Sequence, residues 1–133
     1  MTGDSVELFV PGVPVQQGSK TLAHGGGKTW MRDANAKRLK PWRAEVAKAA
    51  DVGVTFDCPV EVRLRFLMPR PKRPRFSRPA VKPDIDKLTR SILDGLTSGG
   101  LISDDARVVK LVAEEYYDEY PGVHVTVREM EES

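Results

Sequence analysis

The stretch 59–69, PVEVRLRFLMP, alternates apolar and charged side chains with a period of two. Only an extended strand turns that alternation into two distinct faces, with Val60, Val62, Leu64, Phe66 and Met68 on one and Glu61, Arg63 and Arg65 on the other. The strand therefore faces a core on one side only, and the rest of the chain must supply the cover for that side.

The flanking segments supply candidates. SVELFVPGVPV, from Ser5, alternates well enough for a first strand, which the Pro and Gly residues and QQGSK bring to an end. AHGGGKTWMRD reads as a flexible basic loop. Residues 33–51, DANAKRLKPWRAEVAKAAD, are Ala-rich and helical in composition, with Asp33 as a candidate N-cap. Pro41 obstructs the interior of that helix and suits a restart at its own position. Trp42, Val46 and Ala49 then form an apolar stripe at helical spacing. A second helix is expected from about Ile85 to Leu96, with Ile85, Leu88, Ile92 and Leu96 as its buried stripe and Gly95, Gly99 and Gly100 available to end it. RVVKLVAEEYYDEYPGVHVTVREM reads as two strands joined by a turn at DEYPG, with Val123, Val125 and Val127 pointing inward, and the tail EMEES as a frayed end. There is no internal repeat and no linker. At 133 residues and 40% apolar, the chain suits one domain, residues 1–133. Its expected class is α+β, a mainly antiparallel sheet packed by two principal helices on one side.

Several function classes drop out. The lone Cys58 cannot form an internal disulfide, and no apolar run approaches the roughly 20 residues of a membrane helix. The opening MTGDSVELFVPGVPV lacks the basic and apolar regions of a signal peptide, so a reducing, cytosolic setting is expected. The charge is segregated along the chain. Residues 1–82 carry 16 Lys and Arg against 7 Asp and Glu, a net +9, and residues 83–133 carry 5 against 12, a net −7. A basic half suits a polyanion such as nucleic acid, and an acidic cluster beside it suits bound cations.

Residues 70–82, RPKRPRFSRPAVK, concentrate the basic charge in Arg70, Lys72, Arg73, Arg75, Arg78 and Lys82, interleaved with three prolines. Prolines withhold backbone donors and like charges repel, so a mobile loop is expected. Its cations suit phosphate contacts. Phe76 is either a stacking wedge for an opened DNA junction or a side chain folded back onto the core. Lys20, Lys28 and Arg32 form an alternative basic surface.

The acidic half is organised around the second helix, in KPDIDKLTRSILDGL followed by LISDDARVV. Pro83 disfavours helical geometry at Lys82 and itself fits a helix start, which leaves Asp84 in the cap or first turn, able to swing toward Asp86. Asp104 and Asp105 follow a Gly-containing turn that can return the chain beside the helix. Each aspartate has a plainer reading: Asp84 as a cap, Asp86 at the positive helix end, Asp104 and Asp105 in a solvated turn. Taken together, oxygen-only ligands suit Mg²⁺ or Mn²⁺, which bind a few carboxylates and retain open positions for water and phosphate. His24 and His124 are isolated, and no Cys or His cluster suits zinc. No His-based triad is available to a serine or cysteine nucleophile. Beside a basic loop, a carboxylate-held metal is the chemistry of phosphodiester cleavage.

With these residues in view, KPDIDKLTRSILDGL, the spacing to LISDDARVV and the closing PGVHVTV resemble the RusA family of Holliday-junction resolvases of phages and prophages. The layout is similar over nearly the whole chain, with the specific motifs in residues 82–109. The resemblance implies an α+β homodimer that uses Mg²⁺ or Mn²⁺ to place paired nicks in four-way DNA junctions. It also implies that Asp84, Asp86 and Asp105 are the essential metal-binding carboxylates, with Asp104 adjacent. Two positions depart from the family pattern, Lys87 where Asn is usual and Arg90 where the catalytic lysine stands. Arginine stays charged, so Arg90 can clamp phosphate or stabilise transition-state charge but is a poor general acid. Lys87 can cover part of the lysine role. Arg90 also has a structural alternative, an ion pair with Asp86 or Asp94.

The leading expectation is a metal-dependent, structure-selective endodeoxyribonuclease in recombination and repair, leaving 5′-phosphate and 3′-hydroxyl ends. It would act in the cytoplasm, at the nucleoid of a phage-infected or lysogenic bacterial cell. A non-catalytic nucleic-acid-binding module and a protein-binding domain steered by its charged halves are the alternatives. The approximate two-fold symmetry of a four-way junction also favours a homodimer, with an interface on the strand face containing Leu67 or on the sequence after Asp105.

Overall fold

The structure is a computed structural model that describes residues 4–17, 21–25, 28–32 and 36–130, with only the backbone described for 21–25, 28–32 and 36. In chain order the elements are β1 (Ser5–Pro11), β2 (Thr21–Gly25), β3 (Lys28–Arg32), α1 (Ala36–Ala50), β4 (Val60–Met68), α2 (Ile85–Ser98), a 3₁₀ turn (Asp105–Arg107), β5 (Val108–Tyr117) and β6 (Gly122–Glu129). Asp33 and Lys20 lie outside the described residues.

The alternating segment is the third strand of a four-stranded sheet with order β1-β6-β4-β5. It runs antiparallel to β6 and parallel to β5, and β6 runs antiparallel to β1, so the architecture is α+β with a mainly antiparallel sheet. The parallel β4–β5 pair cannot be joined by a tight turn, and α2 lies in the connection between the two strands. β4 consequently separates two strands that are consecutive in sequence. The turn at 118–121 joins β5 to β6 without closing a hairpin between them.

The apolar face of β4, Val60 to Met68, joins Val123, Val125 and Val127 of β6 and Val10 of β1 in one core with both helices. Helix α1 contributes Leu39, Trp42, Val46 and Ala50. It is continuous through Pro41, contrary to the expected restart. The bond that Pro41 forgoes would reach the carbonyl of Lys37, an exposed residue in the first turn, where water can serve instead. Helix α2 buries Leu88, Thr89, Ser91, Ile92, Gly95 and Leu96. Ile85, expected in that stripe, is 37% exposed, because the first turn projects into a cleft rather than over the sheet. At Gly95 the helices approach so closely that a Cβ would sit 2.5 Å from Val46 Cγ1. Ser91 reaches the segment after β1 by donating to the Val15 carbonyl at 2.8 Å, and Gln17 N donates to the Lys87 carbonyl at 3.0 Å, which ties residues 15–17 to the start of α2.

Two further expectations change. The segment read as a flexible loop around Gly25 contains the antiparallel pair β2–β3, with Thr21 opposite Arg32 and Gly25 opposite Lys28. The polar face of β4 is not simply solvated, since Glu61 is only 2% exposed.

Candidate active site

Asp84 is the N-cap residue of α2, with extended backbone (φ −71°, ψ 140°), and its carbonyl accepts the first helical bonds, from Lys87 N at 3.1 Å and Leu88 N at 3.0 Å. Its side chain does not cap the helix. The carboxylate instead faces Lys82 Nζ, 3.0 Å from Oδ1 and 3.1 Å from Oδ2, with Lys87 Nζ at 3.9 Å. A side chain at a capping position that makes no capping bond leaves its oxygens directed outward. Asp86 is exposed one residue into the helix, and both aspartates line an open cleft of about 470 Å³ with residues 79–83 of the basic loop.

The cleft contains a carboxyl that sequence reasoning passed over. Glu115, near the end of β5, shares a face with Ala113 and Tyr117, on the helix side of the sheet, and lines the same cleft. Burial pushes its carboxyl up to about 7, with Arg78 opposing the rise and the nearby Asp84 charge adding to it. Its Oε1 is buried without a hydrogen-bond partner. The signal was present in the alternation of VAEEYY, which puts one of two adjacent glutamates on the inner face, but only the position of α2 reveals which charge it meets.

Arg90 stands one turn beyond Asp86, exposed, and makes no ion pair with Asp86 or Asp94. Asp104 and Asp105 lie elsewhere. Asp104 caps the 3₁₀ turn, its Oδ1 accepting from Ala106 N at 2.8 Å, and Asp105 Oδ1 accepts from the Thr97 hydroxyl. Thr97 is eleven positions beyond Asp86, which at about 1.5 Å per residue is roughly 16 Å along the helix. The chain does return beside α2 as expected, but at its far end. The four aspartates therefore form two pairs at opposite ends of a rigid helix, and among the described residues no three acidic, His or Cys side chains converge on one cation position.

The basic loop has no helix or strand but follows a defined path. Arg70, Lys72, Arg73 and Arg75 are exposed, and Phe76 is 45% exposed with the Arg75 guanidinium 5.2 Å from its ring centre, so it is not folded into the core. Pro79 is buried. Arg78 anchors the loop to β5. It stacks 4.2 Å from the Tyr116 ring centre, donates to the Glu115 carbonyl at 2.9 Å and pairs with Glu114 at 3.7 Å. Packing and hydrogen bonding at Arg78 thus offset the charge repulsion that suggested a mobile loop. Lys28 and Arg32 fall in β3, where only the backbone is described.

A family model described as "Endodeoxyribonuclease RusA" matches residues 11–128. The chain is also similar to the protein of Bacillus subtilis (strain 168) named "Uncharacterized protein YqaN", with 31% identity over 140 residues that cover 96% of this chain and 98% of the relative.

Proposed function

We propose, from the premise that this chain belongs to the RusA endodeoxyribonuclease family, that it resolves four-way DNA junctions by metal-dependent, paired nicking. Family membership carries the coarser reading, an endonuclease acting on Holliday junctions. The observation that carries the finer one is the pair Asp84 and Asp86, presented in an open cleft at the start of α2 with no capping bond to the Asp84 side chain and with Lys82, at the end of the basic loop, beside it.

The donor set fits a hard cation, since every candidate ligand is a carboxylate oxygen. Asp84 and Asp86 would hold Mg²⁺ or Mn²⁺ at one end of α2, and Asp105, with Asp104 beside it, would contribute from the other. When bound, such an ion would supply positive charge at the scissile phosphate and ease the deprotonation of the attacking water. The protein's own residues supply positioning. Lys82 and Lys87 hold the Asp84 carboxylate in a cationic setting, and Arg90, one turn along and free of Asp86 and Asp94, is placed to clamp a phosphate oxygen. Arg70, Lys72, Arg73 and Arg75 contact flanking phosphates, and Phe76 stacks at the opened junction centre.

One chain cannot bring its two aspartate pairs together, because α2 holds them apart. A homodimer resolves this. If a two-fold axis crosses near the middle of α2, the Asp84 end of each copy meets the Asp105 end of the other, which forms two equivalent sites for two opposed strands. β5 is an edge strand of the sheet, and directly after Asp105 it exposes Val109 (61%) and Leu111 (46%), an apolar surface suited to such an interface. Hydrolysis in which water attacks the phosphorus in line with the 3′-oxygen, and the bond from phosphorus to that oxygen breaks, would leave 5′-phosphate and 3′-hydroxyl ends. The test is incubation of the purified protein with a synthetic four-way junction, with and without Mg²⁺ or Mn²⁺. Symmetric nicks in two opposed strands are expected, and a failure to nick with either ion overturns the reading.

A further inference from the structure

The face of the sheet away from the helices carries a charge arrangement that the cleft does not use. Glu61 sits in the central strand with Arg128 of β6 opposite it on one side and Lys110 of β5 opposite it on the other. Arg63, two residues along and on the same face, completes the group. Arg128 donates to Glu61 Oε1 at 2.8 Å, Arg63 donates to Oε2 at 2.7 Å, and Lys110 Nζ is 3.8 Å from Oε2. Burial would raise the Glu61 carboxyl, but the hydrogen bond and charge of Arg63, joined by Arg128 and Lys110, outweigh it and hold the group below its ordinary value.

The exposures are unequal in a telling way. Glu61 is 2% exposed, whereas Arg63, Lys110 and Arg128 are 56%, 50% and 52% exposed. One carboxylate balances one cation, so three cations around it leave a net +2, and the half that solvent reaches is the positive half. The anion orients the cations and is itself withdrawn from contact. From Arg128 across β4 to Lys110 is two strand spacings, about 10 Å, a span over which one DNA strand presents roughly three phosphates. The platform also continues toward the cleft. Arg65, next on the same face of β4, lies opposite Glu114 of β5 and 5.7 Å from the Tyr116 ring centre, and Arg78 of the basic loop, 4.2 Å from the same ring centre, pairs with Glu114, so these two cations share one carboxylate, while Glu7 lines the groove beside Arg63 and Arg65.

We propose that Arg63, Lys110 and Arg128, held by Glu61, form a phosphate-binding platform that carries one duplex arm of the DNA whose branch point lies at the cleft. The proposal rests on the nucleic-acid reading above but not on cleavage. Glu61 is a positioning residue and the three cations are the contacts.

Lys110→Gln is the cleanest probe, because Arg63 and Arg128 still satisfy Glu61 and the fold is retained. Binding of a synthetic four-way junction is measured over a range of salt concentrations for the wild type, Lys110→Gln and the quadruple variant Glu61→Gln/Arg63→Gln/Lys110→Gln/Arg128→Gln, which removes the buried charge together with its partners. The slope of log affinity against log salt should fall by about 0.9 for Lys110→Gln and by up to about three times that for the quadruple variant. Ethylation interference should identify arm phosphates whose modification hinders the wild type and not the quadruple variant. Unchanged slopes in both variants, with normal junction binding by the wild type, overturn the platform. A wild type that binds the junction with the steep slope but never nicks it overturns the cleavage reading and leaves the platform standing.

Discussion

The Asp105 carboxylate accepts a hydrogen bond from the Thr97 hydroxyl, at the opposite end of α2 from Asp84 and Asp86. That bond turns a question about four aspartates into one about two chains. A 14-residue helix is too stiff to bend its ends together, so any site that uses both pairs must draw them from separate copies.

Asp84→Asn, Asp86→Asn and Asp105→Asn are each expected to lower nicking by several orders of magnitude, with junction binding retained or tightened because a negative charge near phosphate is removed. Mixing Asp84→Asn and Asp105→Asn subunits distinguishes the composite arrangement. Each mixed dimer should regain one intact site and nick one strand per junction, whereas sites contained within single chains would leave the mixture inactive. Sedimentation should give a dimer at micromolar concentration.

In the basic loop, Arg73→Ala/Arg75→Ala should weaken junction binding and reduce its salt slope by about 0.9 for each phosphate that the loop no longer neutralises, with thermal stability unchanged because both side chains are exposed. Arg78→Ala should behave differently. It removes the stack on Tyr116 and the bond to the Glu115 carbonyl, so faster proteolysis within residues 70–82 should accompany the weaker binding. Equal proteolysis in the two variants would remove the anchoring role from Arg78.

Glu115 predicts a pH signature. Its folded carboxyl titrates at about 7 against an ordinary 4.5, so the folded state holds a proton that the unfolded state has released between these values. Stability should therefore fall as pH rises from about 4.5 to 7, with the full penalty present above 7. Glu115→Gln should stabilise the protein at pH 8 by on the order of 1–2 kcal/mol, discounted from the full linkage value because water partly reaches the group. The gain should vanish below pH 4.5. A gain that is the same at pH 4 and pH 8 would assign it to packing instead.

Gly95→Ala tests the helix packing. The added methyl would meet Val46 at 2.5 Å, and a destabilisation of about 1–3 kcal/mol by chemical denaturation is expected even though alanine is the better helix former. Pairing it with Val46→Ala should recover part of that stability.

Period-two alternation in 59–69 and helical periodicity from Leu88 to Leu96 are enough to locate the central strand, the second helix and one shared core. Both patterns are local, set by backbone geometry and by which side chains must leave water. The aspartate motif likewise points to an oxygen-ligand site and a family. Local pattern does not say that β4 lies between β5 and β6, because strand order depends on contacts among residues far apart in the chain. Nor does it show which inner-face carboxyl on β5 meets Asp84, or that the chain returns to α2 at Thr97 rather than at Asp86. Taken alone, the charges of PVEVRLRFLMP describe a solvated face. Glu61 becomes a buried anchor only when the flanking strands set Arg128 and Lys110 on either side of it, because a carboxylate can leave water when partners from several strands meet its charge at once.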